Sequence, residues 1–521
     1  MRRKTGNKIK YDSGFSTLEM LIAMTVLIMV LSAVIFVSFG NQSLSIDNET
    51  NAEALNKAQE LLEEEQALSR KDFKLVNPIG AQTDGIYQKT ISVSNLDFFT
   101  KKVTSSITWL VDHNRPQHID LTTLVTNFQN SVGGETCYSV LSGDWTDPEI
   151  ESTINFSSIS PTGTYTLADL DAYKEKLYVT ANKTTNITDP TLFIFDINNP
   201  NNPTLIGEVD NAPNVILGLN AISVAEDTTA KKTYAYAASN TASNYSTCNP
   251  IDPLTFVPDP ACGQLNIFDA TNLTPVKTAN VKIASSPAVT GQNTGVSMFY
   301  ENGYLFLGLS ANTGGPEFHI VDVHDPSSIN SGPYTPLGSL EIGHDVNSIN
   351  VKGKYAYIAS PNANELQITD ISNVMSPNIV GGFDIPGGGN GKSLYKVGDR
   401  LYFGNTVPSS GNDLHVLDDV NPSSTLPEIA GINLSSSLNE ILVRSNLAFL
   451  LSNNDLKIFD IGDPKSVAPF SIGAPLATLN LPSFSTSPIP EPSMDCEGNR
   501  IYIASNDSLG QGSVYIIKPG P

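Results

Sequence analysis

The chain has 521 residues, 40% of them hydrophobic, which is enough for several domains rather than one. Its 53 Asp and Glu against 30 Lys and Arg leave a net charge of −23. A surface of that sign repels phosphate backbones and argues against nucleic-acid partners over most of the molecule.

The first predicted element is apolar. A basic leader, MRRKTGNKIKYDSG, precedes twenty uncharged, mostly apolar residues from Met20 to Phe39. At about 1.5 Å per residue that run makes a helix of roughly 30 Å, the thickness of a bilayer's hydrocarbon core. Glu19 stands just inside its N-terminal end. A secretory signal peptide would end its apolar run in a small-residue cleavage site, and none stands out here. The small residue, Gly14, comes before the run, so a cut there leaves the helix on the mature chain.

Gly14, Phe15, Thr17, Leu18 and Glu19, the acid five positions after the glycine, resemble the type IV prepilin signal. The resemblance implies cleavage between Gly14 and Phe15 by a prepilin peptidase, N-methylation of Phe15, and a single-pass stay in the inner membrane before assembly. Loss of the leader would bring the net charge near −27. An unpaired carboxylate within the membrane boundary costs about 2.5–3.5 kcal/mol or more. In the family its partner is the amino terminus of a neighbouring subunit, so Glu19 is the expected assembly contact. The competing reading is an ordinary signal-anchor helix with a chance Glu.

From Asn41 to Lys71 the apolar residues Leu55, Ala58, Leu61, Leu62 and Leu68 recur at three- and four-residue spacing, which predicts an amphipathic continuation of the helix. Alternation at Ile91 and Val93, then Val103–Val111, then Ile119–Val125, predicts a short antiparallel meander over residues 85–127. Helix and meander together resemble the module of minor pilins and pseudopilins, giving an α+β unit over 15–132 after the leader 1–14.

Beyond Gly133–Gly134 the sequence becomes repetitive. Each copy reads as an apolar strand ending in Ala or Ser, a polar loop, and a second strand ending in Asp near Asn-Pro. Copies include KLYVTAN…LFIFDINNP, KYAYIAS…LQITDISNV and LAFLLS…LKIFDIGDP. The strand-ending acids Asp196, Asp269, Asp322, Asp370, Asp418 and Asp460 are spaced by 73, 53, 48, 48 and 42 residues. A period in the forties with several short strands per unit predicts a β-propeller, here over 133–521. Seven copies predict seven blades, and the longest gap holds an insertion near 240–263. The wording of the repeat resembles the LVIVD-repeat propellers. The seventh copy, RIYIAS…VYIIKPGP, lacks the last strand, which Ser152–Phe156 would supply from the N-terminal side.

The four cysteines, Cys137, Cys248, Cys262 and Cys496, are compatible with two disulfides in any of three pairings. The closure favours Cys137–Cys496 as its fastening, which leaves Cys248–Cys262 as a staple within the insertion.

Signs of chemistry are sparse. An Asp close before Asn-Pro caps a turn more readily than it binds a metal, and no calcium loop of the DxDxDG kind occurs, although DINNPNNP offers a place for a stray cation. His319, His324, His344 and His415 lie in different blades or at strand ends and are expected to be scattered rather than convergent on the axis. No nucleophile elbow, zinc helix motif or phosphate loop appears. The expectation is no catalysis, no metal and no cofactor. The leading function is a minor pilin displaying its propeller at a filament tip for adhesion to an extracellular ligand or surface, with other pilin subunits as partners. A type II secretion pseudopilin contacting cargo, or a surface-tethered propeller enzyme, are the alternatives.

Overall fold

The computed structural model describes residues 17–71, 76–95, 100–111, 115–126, 141–159, 164–183, 189–210, 218–227, 230–239, 263–272, 274–283, 294–311, 315–362, 364–386, 388–406, 411–422, 424–452, 455–462, 472–482 and 492–520. The described residues up to Thr126 form one compact unit and those from Leu141 onward form another.

In the first unit a single helix, α1, runs unbroken over Thr17–Lys71. Its stretch Met20–Ser38 is long and apolar enough to cross a membrane, and none of it is buried within the protein. Four strands follow, β1 (Ile79–Asp84), β2 (Tyr87–Asn95), β3 (Thr100–Val111) and β4 (Arg115–Thr126), paired antiparallel in chain order. Ala54, Ala58 and Leu62 of α1 are buried in the same clusters as Tyr87, Ile91, Val103, Ile107, Trp109 and Val125. The buried stripe of the helix thus passes through Ala54, and Leu55 is exposed. Two alanines on that stripe let the sheet backbone come close. Strand β1 lies outside the expected meander because its sequence, IGAQTD, is mostly exposed and does not alternate. Its end is tied instead by charge: Asp84 accepts from Lys57 at 2.8 Å and from Lys89 at 2.6 Å. Those two lysines hold the Asp84 carboxyl down at about 2.

The second unit contains seven sheets among the described residues, spanning 165–209, 219–283, 295–340, 348–383, 391–432, 438–480 and 493–520, here blades 1 to 7. Each is an antiparallel meander whose first strand touches the first strand of the next blade, and the contacts run round until blade 7 meets blade 1. This is a closed seven-bladed β-propeller. Blade 2 has a fifth strand, Gly332–Tyr334, which arrives from the loop of blade 3 and pairs parallel to its outer edge.

Closure comes from the N-terminal side, as the incomplete seventh repeat predicts. Strand β5 (Asp144–Asn155) pairs antiparallel with Gly512–Gly520 and completes blade 7. It is longer than Ser152–Phe156 because two register shifts carry it past Pro148. Trp145 lies inside it, 4% exposed and edge-on to Phe449 of blade 6 at 5.0 Å. Phe156 leaves the strand into a short 3-10 turn and packs edge-on against Phe193 and Phe195 of blade 1. The closing segment therefore grips both neighbours of its own blade.

Candidate functional site

The first strands of the blades surround a central channel of about 440 Å³. Pairing shifts register near the start of five of them, at Leu167/Asp169, Leu219/Ala221, Gly295/Ser297, Gly391/Ser393 and Leu438/Glu440. Such bulges re-aim side chains at a strand end. The strand starts are also tight: a Cβ on Gly391 would lie 2.5 Å from the Glu365 carbonyl oxygen of the preceding blade.

Side chains on these strands cross from blade to blade. Asp169 Oδ2 accepts the Ile222 N–H at 2.9 Å, Asp171 Oδ2 the Val224 N–H at 2.8 Å, and Asp495 Oδ2 the Ala172 N–H at 2.6 Å. Asn220 Nδ2 donates to the Gly295 carbonyl at 2.8 Å, and Asn347 Nδ2 to the Gly391 carbonyl at 2.6 Å. These bonds satisfy backbone groups on strand edges that face the channel rather than a neighbouring strand. Asp169 pays for its position: desolvation inside the ring raises its carboxyl to about 6, against the opposing pull of N–H groups from Ile222 and Leu170. Glu440 of blade 6 also lines the channel, and Lys392 of blade 5 is the cation among the lining side chains.

The repeated acids behave as turn caps. Asp196, Asp269, Asp322, Asp370, Asp418 and Asp460 each accept the backbone N–H two residues on, at 2.8–3.1 Å. In DINNPNNP, Asp196 also accepts from the Asn198 side chain at 3.0 Å. Among the described residues no group of three or more His, Cys, Asp or Glu is placed to hold a metal ion.

None of the four histidines lines the channel. His319 is buried in a third strand beside Ser339 Oγ at 2.8 Å, and burial pushes its imidazole down to about 4. His415 is buried between Glu428 and Asn405, at 2.9 and 3.1 Å. His324 pairs with Asp322 at 2.7 Å on the surface of blade 3, and His344 is exposed in a loop.

A second repeated device escaped the sequence reading. The residue just before the third strand caps the end of the fourth strand of the same blade. Gln264 accepts the Ile283 N–H at 2.9 Å, Glu317 the Ile342 N–H at 2.9 Å, Glu365 the Ile385 N–H at 2.8 Å, and Asp413 the Leu434 N–H at 2.6 Å. A polar residue abutting each LNIFD-like run was its signal. The channel acids were missed too, because they precede the recognisable second strands by five to seven residues and differ between copies.

Gly14 and Phe15 lie outside the described residues, as do Cys137, Cys248 and Cys262. Glu19 falls within α1. Cys496 is fully buried in blade 7 and disulfide-bonded.

The LVIVD repeat family matches residues 187–211 and 343–385, in blades 1 and 4. No curated protein matches the chain. Among solved structures the chain is similar to one described as YCF48 bound to D1 peptide, at 10% identity and a TM-score of 0.40, over 74% of this chain and 100% of that one. That likeness is too distant to bear on function, and the propeller rests on the sheet order itself. The chain carries LVIVD repeats within a seven-bladed β-propeller.

Proposed function

We propose that this protein is a minor type IV pilin that carries its propeller as a binding module at the tip of a filament. The observation that supports the reading best is the continuity of α1. An exposed apolar stretch with Glu19 at its head passes without a break into turns that pack on a four-stranded sheet. A mere membrane tether has no use for the carboxylate or for the packed head. In this reading a prepilin peptidase cuts after Gly14, Phe15 is methylated, and Glu19 pairs with the amino terminus of the next subunit. The protein waits in the inner membrane and is then extruded to the cell surface.

Size supports a position at the tip. A compact domain of about 370 residues has a radius of gyration near 21 Å, whereas packed helices lie about 8–10 Å apart. Successive shaft subunits cannot each carry so wide a load. Two measurements test the proposal. N-terminal sequencing of the mature protein should begin at Phe15, and any other start removes the pilin reading. Deleting the propeller should lower binding to cells or glycan surfaces while filament number is kept. Blocked export of a specific cargo with intact adhesion would point to a secretion pseudopilin instead, and neither defect to a tethered enzyme.

A further inference from the structure

Blade 5 holds an amine and a carboxyl against each other in its interior. Lys396 stands on the blade's first strand, Gly391–Val397, and Asp419 is the residue after its third, Leu414–Asp418. Lys396 Nζ lies 2.7 Å from Asp419 Oδ2, and the two side chains are 5% and 0% exposed. Tyr357, from the second strand of blade 4, donates its hydroxyl to the same Oδ2 at 2.5 Å. Oδ1 of Asp419 is buried and accepts no hydrogen bond among the described residues. An ionised carboxylate with one oxygen unpaired is costly in a dry interior, as is the ammonium beside it, so burial favours the neutral amine and the neutral acid over the ion pair. Burial accordingly raises the Asp419 carboxyl, against the pull of the Lys396 ammonium and the Tyr357 hydroxyl.

We propose that Lys396 and Asp419 condense into a side-chain amide, a covalent cross-link inside blade 5. A proton passes along the Nζ–Oδ2 hydrogen bond, turning ammonium and carboxylate into amine and carboxylic acid. The amine lone pair attacks Cγ and the C–N bond forms. The C–Oδ2 bond then breaks, and Oδ2 leaves as water with its own proton and a second one from the nitrogen. Ammonium plus carboxylate thus become amide plus water, with no change of oxidation state and no co-reactant. Tyr357 is hydrogen-bonded to the oxygen that leaves, where its O–H steadies the charge that develops there. The fold supplies the proximity, and the absence of bulk water at the pair removes the reagent of the reverse step. The N–H that remains keeps a donor for the Gly398 carbonyl, 2.5 Å from Nζ. The inference is independent of the pilin reading and of what the propeller binds.

Peptide mass spectrometry on the full chain, purified in detergent, denatured, reduced and cut with trypsin, tests it. Trypsin cleaves after free lysine and arginine but not after an acylated lysine. The next sites beyond Lys396 are Arg400 and Arg444. The cross-link is expected to give one species that joins peptides 393–400 and 401–444, lighter by one water than their sum. Sequencing should find two amino termini in it, Ser393 and Leu401, which separates it from a linear peptide left uncut at Arg400. Lys396→Arg cannot form the amide and should abolish the species. Tyr357→Phe should lower its yield, and an equal yield would overturn the part given to the tyrosine. Recovery of 393–396, 397–400 and 401–444 as separate peptides from the wild-type chain would overturn the proposal and leave a buried ion pair; that readout depends on no variant folding. A two-terminus species that persisted in Lys396→Arg would overturn it as well, by placing the bond at another residue.

Discussion

Replacing Asp169 by Asn should make the propeller less sensitive to rising pH. In the folded ring the carboxyl is raised from its ordinary 3.8 to about 6 by desolvation. Below pH 4 the group is protonated in both folded and unfolded chains and costs nothing through ionisation. Between about 4 and 6 the folded state holds its proton more tightly, so stability falls as pH rises. Above 6 the full cost, on the order of 3 kcal/mol, is present. Asn keeps one acceptor for the Ile222 or Leu170 N–H and loses the other, a roughly pH-independent loss of about 1 kcal/mol. The measurable quantity is therefore the difference between variant and wild type at pH 7.5 minus that at pH 4. For a propeller of this size 3 kcal/mol corresponds to about 4 °C in the unfolding midpoint, read by near-UV circular dichroism on the full chain. The Asn variant should gain about that much, relative to wild type, across the interval. Parallel pH profiles would show that the carboxylate is better solvated than its place in the ring implies.

Four further outcomes follow from packing. Trp145→Ala should destabilise the propeller by about 3–5 kcal/mol, the range for emptying a buried aromatic site, and denaturant unfolding that leaves the midpoint unmoved would put the closure elsewhere. Arg500→Ala strands Glu151, whose side chain is 4% exposed and accepts two bonds from the guanidinium. The expected loss is about 2 kcal/mol, below that for a fully buried pair because Arg500 is 33% exposed. Asp413→Ala should cost about 1–3 kcal/mol by leaving the Leu434 N–H without its acceptor; hydrogen exchange at Leu434 should quicken, and unchanged protection there would refute the capping role. Peptide mapping under non-reducing conditions should find Cys496 joined to Cys137 and Cys248 to Cys262, any other pairing counting against the proposed fastening.

What was legible in the sequence was what is local. The six strand-ending aspartates cap turns two residues away, so residue type and position suffice to read them. The incomplete seventh repeat likewise announced its missing strand. The caps formed by Gln264, Glu317, Glu365 and Asp413 reach some twenty residues along the chain, and three residue types share the task, so no single letter marks them. The channel acids are harder still. Asp169 bonds to Ile222, 53 residues on, and Asp495 to Ala172, 323 residues back, across a seam that exists only once the ring is shut. In α1 the expected stripe holds at Ala58, Leu61, Leu62 and Leu68, and departs only at Leu55, where close packing takes the smaller Ala54 instead.

The closing strand also sets the order in which the molecule can become itself. Strand β5 leaves the ribosome ahead of every blade, yet the residues it must meet come last. Asn155 accepts from Ser513 across 358 residues, and Asn499 holds Ser142 across 357. Loop-closure entropy rises only slowly with length, so the separation takes little from final stability. Its effect is on time, because pairings this distant in sequence form slowly. Until the final strand is available, β5 is an edge without a partner and the first and last blades stand open beside it. A chain that crosses a membrane before folding would complete its ring only on the far side, in a single late event that shuts the seam and shapes the channel together.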